Sequence, residues 1–398
     1  MSTRWHIVTP ELPPDCGGVG DYTVQVAEAL ARTGDCVSLY VPPAPTPRSA
    51  PDGLEIVALP DCFGARSIRQ LSAHLDADRD GRVLVQYVPA AFGRRGTNVP
   101  FCRWLRSRRH TGTDVRVMFH EPYLYLHWRP DHLVAAFTQR AMAAILLDAA
   151  AHVYLSTDTW RRYLARLRPT AIQNAVTLPI PSAIPRVNAA EAIRAARKTS
   201  IGGATHLIGH FGSYGHHIAT PLHRIVKDLL SLDGRVAVLC AGDGSDRFVN
   251  AFLAIHPAFR GRLLASGRVS AHHISVQLQA CDVLVQPYPD GVTTRRTSVM
   301  AGLANGCAVV TTDGRLTEDV WRAADCVAMT RAGDCAGLIH RTRELLADAA
   351  AREALQVRAA AAYDAHFALP HTIEGLRADC PQRTGRAVVG RGYEIAEF

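Results

Sequence analysis

Short apolar runs, each followed by a Gly- or Pro-bearing turn and then a stretch with helical spacing, recur along both halves of this 398-residue chain. That rhythm constrains the fold more than any other feature. In the first half, 5–8, 36–41, 54–59, 83–88, 115–119 and 152–156 read as strands. Helices are predicted between them, notably 21–32, where Val24, Ala27 and Ala31 share a face and Gly34 is the stop, and 133–151. Alternation of this kind implies parallel sheets covered on both faces, because a parallel connection needs a crossover long enough to hold a helix. The stretch 173–185 (Gln-Asn-Ala-Val-Thr-Leu-Pro-Ile-Pro-Ser-Ala-Ile-Pro) breaks the rhythm, since its three prolines cannot continue a helix or a central strand. We read it as an interdomain linker. The rhythm then resumes, with strands expected at 205–211, 235–241, 263–266, 282–286, 308–312 and 326–329, and helices at 221–232 and 347–363. The expected organisation is a domain over 1–185, a second over 186–375, and a tail over 376–398 that can pack back on the first domain.

Composition supports an ordinary globular chain, with 48% hydrophobic and 20% charged residues. The net charge is +8 and rests on arginine, only Lys198 and Lys227 being lysines. The densest basic cluster is Arg103-Trp104-Leu105-Arg106-Ser107-Arg108-Arg109-His110. Such a cluster is first a solvated helix face. An anionic acceptor or lipid headgroup is its other use, which leaves peripheral membrane contact open. No zinc finger, RNA-binding aromatic motif or heptad array is present, so nucleic acid is not expected as a partner. The ten cysteines are scattered, without a C-x-x-C, and several sit in apolar runs. They suit a reducing compartment. With no apolar stretch that fits a leader or a membrane span, the expected location is cytoplasmic or peripheral to the inner face of the membrane.

In open α/β sheets, ligands bind beyond the carboxyl ends of the strands, so the loops there carry the chemistry. The first is Thr9-Pro-Glu-Leu-Pro-Pro-Asp-Cys-Gly17-Gly18-Val-Gly20-Asp21, whose glycines and following helix N-terminus suit an anion. It does not match the dinucleotide fingerprint G-x-G-x-x-G. The second ends a strand at His120-Glu121, two titratable groups of which His120 is the stronger catalytic candidate. The third, His210-Phe211-Gly212-Ser213-Tyr214-Gly215-His216-His217, repeats the phosphate-loop pattern through Gly212, with Arg224 and Lys227 on one face of the next helix. The fourth runs from Pro287 through Asp290, Thr293, Thr294, Arg295 and Arg296 into a helix that stops at Gly306. Hydroxyls, N–H groups and guanidinium at a helix tip suit a diphosphate. His216-His217 has no further metal-type spacing, and no metal is expected.

Taken together, these segments resemble glycosyltransferase family 4, a GT-B family. The likeness spans roughly residues 5 to 365 and rests on Gly17-Gly18-Val19-Gly20, His120, Gly267-Arg268-Val269-Ser270, Leu278 to Val285, and the block from Pro287 to Thr312. The resemblance implies an α/β GT-B fold, with two doubly wound Rossmann-like domains facing across a cleft. It implies a nucleotide-sugar donor held mainly by the second domain and an acceptor hydroxyl presented by the first. That acceptor is a saccharide, a lipid-linked saccharide or a small metabolite. It also implies retention at the anomeric carbon without a metal or other cofactor. Carried onto this sequence, Gly18, Gly212, Lys227, Thr294, Arg295 and Arg296 are expected at the donor phosphates, and Arg268 and Val269 at the nucleoside. His120 and Asp290 are expected at the reacting sugar, and Gly17, Asp21 and Glu121 on the acceptor side. One departure stands out: where the family usually carries paired glutamates, this chain has Thr293 and Ala301. Asp290 and the two arginines are the residues that would take over. A GT-B-like sugar-nucleotide epimerase and an inactive nucleotide-sugar-binding subunit are the alternative readings.

Overall fold

The structure is a computed structural model, and it describes residues 2–12, 18–43, 51–93, 96–123 and 130–378. Strands β1 (Arg4–Val8), β2 (Cys36–Val41), β3 (Leu54–Ala58), β4 (Arg82–Tyr87), β5 (Asp114–Phe119), β6 (His152–Leu155) and β7 (Val176–Thr177) form one sheet in the order β3-β2-β1-β4-β5-β6-β7. Strands β8 (His206–Phe211), β9 (Val236–Ala241), β10 (Leu263–Ala265), β11 (Val283–Gln286), β12 (Val309–Asp313) and β13 (Ala328–Arg331) form a second, in the order β10-β9-β8-β11-β12-β13. All the pairings are parallel. Both sheets are apolar on each face, as doubly wound sheets must be. Along β5, Val115, Val117 and Phe119 face one buried cluster while Met118 faces the other.

Three sequence expectations shift in the structure. The proline-rich stretch holds β7, a two-residue strand at the edge of the first sheet, where prolines on either side leave no central ladder broken. The helix expected from Pro221 begins at His216, with Pro221 inside it. Proline favours a helix start, but the apolar face already runs from Ile218 through Leu222, Ile225 and Val226. The stretch 347–363 is cut at Asp348 into helices Cys335–Ala347 and Ala349–Ala362, and the Asp348 carboxylate caps the second by accepting from the Ala351 N–H at 2.9 Å.

The basic cluster lies on helix Val99–His110. Arg108 pairs with Asp76 at 2.7 Å, and Arg109 donates to the carbonyls of Asp148 and Ala150, so part of that charge is structural. Among the described residues, no helix is long and apolar enough to cross a membrane. The described cysteines are unpaired, and Cys102, Cys240, Cys281, Cys307 and Cys326 are buried.

The chain returns to the first lobe before residue 376. Helix Leu369–Arg377 packs Ile373 and Leu376 into the cluster that contains Trp5, Leu30 and Tyr154. Arg116, buried inside β5, fastens it there. Its guanidinium takes the Asp114 carboxylate at 2.8 Å, the Tyr154 hydroxyl at 3.1 Å and the Leu376 carbonyl at 2.6 Å. Arg377 adds an ion pair to Asp35 at 2.7 Å. Leu376 is fully buried, so Leu376→Ala should cost about 2–5 kcal/mol, read as a lower urea midpoint for unfolding of the first lobe.

Candidate functional site

Strand order reverses between β1 and β4 in the first sheet and between β8 and β11 in the second. Loops diverge at such switch points and leave a crevice. Here the crevice is a cavity of about 600 Å³ that both lobes line. The first lobe contributes Gly18 and Asp21. The second contributes 210–213, Asp243, Arg268, Gln286, Tyr288 and 295–298.

Arg295 and Arg296 dominate its electrostatics. The Arg295 guanidinium lies 5.2 Å from the Trp160 ring centre and donates to the Glu121 carboxylate across the lobes at 2.9 Å. The Arg296 guanidinium lies 4.6 Å from the Tyr288 ring centre. The Nε of each is buried without a partner among the described residues. Burial pulls the Arg296 pKa down, and the nearby Arg295 charge adds to the effect. Buried cationic donors without acceptors are costly, and both residues line the cavity, where an anion would meet their charge. Helix Thr297–Ala304 starts immediately after them, and Thr297 and Ser298 are in the wall. The Ser298 hydroxyl lies 2.7 Å from that of Tyr288. Gly212 packs closely on Ser298: its φ is +147°, and a Cβ there would stand 3.3 Å from the Ser298 Cβ.

The structure redistributes the residues singled out from sequence. Gly18, Asp21, Gly212, Arg268, Arg295 and Arg296 share the one cavity. Gly17 lies outside the described residues. Helix Gly18–Arg32 begins at the expected turn, but its first N–H groups are already engaged, because Glu11 Oε1 accepts from Val19 and Gly20 at 3.0 Å. A carboxylate of the chain itself thus caps the helix end where an external anion was expected. Thr294 faces away from the cavity. Its hydroxyl reaches the Ser156 carbonyl at 2.8 Å and the Glu318 carboxylate at 2.5 Å, joining the lobes. Asp290 does not line the cavity either: its carboxylate is turned onto Arg315 at 2.8 Å. Lys227 is exposed on the outer face of its helix, and Val269 is solvent-facing, so neither is in the wall. Arg268 pairs loosely with Asp243 at 3.5 Å. His120 is buried and does not line the cavity. Its Nε2 donates to Gln86 Oε1 at 2.8 Å, and its ring meets Tyr22 edge-on at 5.1 Å.

Two residues of the wall had no assigned role. His210, at the end of β8, donates from Nδ1 to the Val285 carbonyl at 2.9 Å, and its Nε2 has no partner among the described residues. Gln286, ending the neighbouring β11, donates to the Phe211 carbonyl at 2.9 Å and leaves its own Oε1 unpaired. The signal was present in His-Leu-Ile-Gly-His-Phe and Val-Leu-Val-Gln: a polar residue near the carboxyl end of an apolar strand.

Burial holds both histidines neutral. It pushes His120 down to about 3, with the Arg295 charge assisting, and His210 down to about 4 against the opposing hydrogen bond to Val285. A histidine whose pKa is lowered on folding adds no penalty above the unfolded value near 6.5, and destabilises the fold as pH drops below it. Thermal midpoints should therefore fall between pH 7 and pH 5. They should fall less steeply in His120→Asn and His210→Asn, compared in the same buffers.

No family model matches the sequence, and no curated protein matches it. Solved structures do. A sucrose-phosphate synthase from Thermosynechococcus elongatus superposes with a TM-score of 0.72 at 14% identity, covering 94% of this chain and 97% of that one. HepE from Anabaena in complex with UDP gives 0.68 at 13% identity, over 94% and 98% of the two chains. An α,α-trehalose-phosphate synthase (UDP-forming) from Burkholderia vietnamiensis gives 0.66 at 14% identity, over 96% and 97%. The fold of this chain is GT-B: two doubly wound α/β lobes facing across a cleft.

Proposed function

We propose that this chain is a family 4-like glycosyltransferase that moves a sugar from a nucleotide-sugar donor to an acceptor hydroxyl. The reading includes retention at the anomeric carbon and no metal requirement. One observation carries it: two partly buried guanidinium groups, each with a buried, unpartnered Nε, at a cavity that both lobes share at their switch points. Support comes from the neighbours, since HepE from Anabaena was solved with UDP and with UDP-glucose, and the Burkholderia synthase is described as UDP-forming. A uridine diphosphate sugar is the first donor to try, and a saccharide the first acceptor.

The chemistry needs charge stabilisation above all. As the bond to the leaving diphosphate lengthens, negative charge builds on its oxygens and the sugar becomes oxocarbenium-like. Preorganised guanidinium groups meet that charge without reorganising. Arg295 and Arg296 would hold the diphosphate, with Ser298 and the Gly212 backbone beside it. His120 is neutral at pH 7, so in this reading it orients groups by hydrogen bonding and does not supply a proton. Asp21 and Glu121 stand on the acceptor side of the same cleft.

Arg296→Ala should lose roughly 2–4 kcal/mol of transition-state stabilisation, about 30- to 1000-fold in transfer rate, with an unchanged circular dichroism spectrum. Transfer at the wild-type rate would sink the assignment. Turnover of the donor without an acceptor would point to an epimerase, and tight donor binding with no turnover across an acceptor panel to an inactive subunit. Asp290→Asn and Lys227→Ala, both away from the wall, should stay within about a factor of two of wild type in diphosphate affinity by calorimetry. Transfer should also persist in EDTA.

A further inference from the structure

Glu318 is a carboxylate buried between the lobes, 9% exposed. Its Oε2 accepts from the Trp321 indole at 3.0 Å and from the Thr294 N–H at 3.1 Å. Its Oε1 takes the Thr294 hydroxyl at 2.5 Å and the Thr157 hydroxyl from the first lobe. Every one of these donors is neutral, and no salt bridge reaches Glu318 among the described residues.

The position of Thr294 gives this cluster a role beyond stapling. Thr294 directly precedes Arg295. Its carbonyl accepts from the Ile180 N–H at 3.0 Å, in the segment that joins the lobes, and its hydroxyl also reaches the Ser156 carbonyl at 2.8 Å. Ser156 and Trp160 in turn both donate to the His120 carbonyl, at 3.0 and 2.9 Å. The Trp160 ring then carries the Arg295 guanidinium. A continuous run of contacts therefore leads from Glu318 to the arginine pair on one side and to the end of β5 on the other. The cluster borders a second cavity of about 800 Å³ that Pro179 and Phe367 also line, beside both passages of the chain between the lobes. The Arg295–Glu121 pair, which also joins the lobes, is by contrast half-exposed at Glu121.

We propose that Glu318 is a positioning residue that, through Thr157 and Thr294, holds Arg295 and Arg296 on the cavity wall in fixed relation to the first lobe. The proposal rests on the transferase reading for the anion those arginines meet. In Glu318→Leu the Trp321 and Thr294 N–H groups and the two threonine hydroxyls lose their acceptor, so Thr294 is released. In Glu318→Gln the amide oxygen can take the two N–H groups and the N–H₂ can donate to the hydroxyls, which makes it the conservative control.

The test is calorimetry on the full chain with UDP, GDP, ADP and dTDP, the tightest for wild type then serving as probe. Glu318→Leu should bind that diphosphate about 10- to 100-fold more weakly, since small misplacements at a charged site cost that much. Its affinity for the matching nucleoside, which has no phosphate, should be unchanged. Thr157→Val removes one donor and leaves the carboxylate, so it should weaken diphosphate binding in the same direction, and it serves as the measurement if Glu318→Leu does not fold. In an Arg295→Ala background either change should add less than it costs alone, because one of the two groups being positioned is gone. Wild-type diphosphate affinity in both variants, or losses that add in full to that of Arg295→Ala, would overturn the positioning role. A wild-type protein that binds none of the four nucleotides refutes the transferase reading itself and takes this proposal with it. Wild-type binding that Arg296→Ala abolishes and Glu318→Leu leaves intact refutes only the role of Glu318.

Discussion

Two positive charges held at the boundary between two apolar sheets impose most of the order seen around the cleft. Arg295 and Arg296 each rest on an aromatic ring, Trp160 in one lobe and Tyr288 in the other. A flat face offers a guanidinium some attraction but accepts few of its hydrogen bonds, so each keeps a donor unsatisfied. Glu121 answers one charge from across the cleft, and the rest is left for whatever enters. An apolar wall would have been more stable and would have recognised nothing.

The lobes divide the electrostatics between them. The second presents cations, open hydroxyls and a glycine turn. The first presents acids: Asp21 in the wall, Glu121 at the bridge, and Glu11 already seated on the helix end that opens its glycine turn. In the proposed reading a diphosphate would be drawn to the second lobe, and the first would face the part of the ligand that carries hydroxyls. That polarity follows from a few strand-end residues and not from the net charge of +8, which is spread over the surface.

Much of the fold was legible because it rests on local patterns. Cys36–Val41 was bounded to the residue, and β1, β4 and β5 to within one at either end, since apolar runs bounded by turns report strands directly. That the Arg295–Arg296 turn lies at a strand end and a helix start was legible for the same reason: a strand, a glycine loop and a helix start are contiguous. Side-chain direction could not be read. Thr294 and Arg295 are neighbours in sequence, yet one joins the lobes and the other reaches the cavity. Asp290 sits in the right loop, but Arg315 claims it from a distant loop. Glu11 capping the helix beyond it, and Glu318 bridging the lobes, depend on contacts that no periodicity encodes. His210 and Gln286 were visible as polar residues closing apolar strands, and went unassigned because only their pairing across β8 and β11 gives them meaning.

The return of Leu369–Arg377 to the first sheet bears on how the chain is made. One face of that sheet, with Trp5, Leu30 and Tyr154, is completed by Ile373 and Leu376. During synthesis those partners emerge only after the whole second lobe has been translated. At ordinary elongation rates the interval is on the order of 10 s or more. For that time the nascent first lobe exposes an apolar patch, together with an Arg116 whose carbonyl acceptor does not yet exist. Order in the half made first thus waits on the half made last, so the two lobes, though each has its own sheet, are not independent folding units.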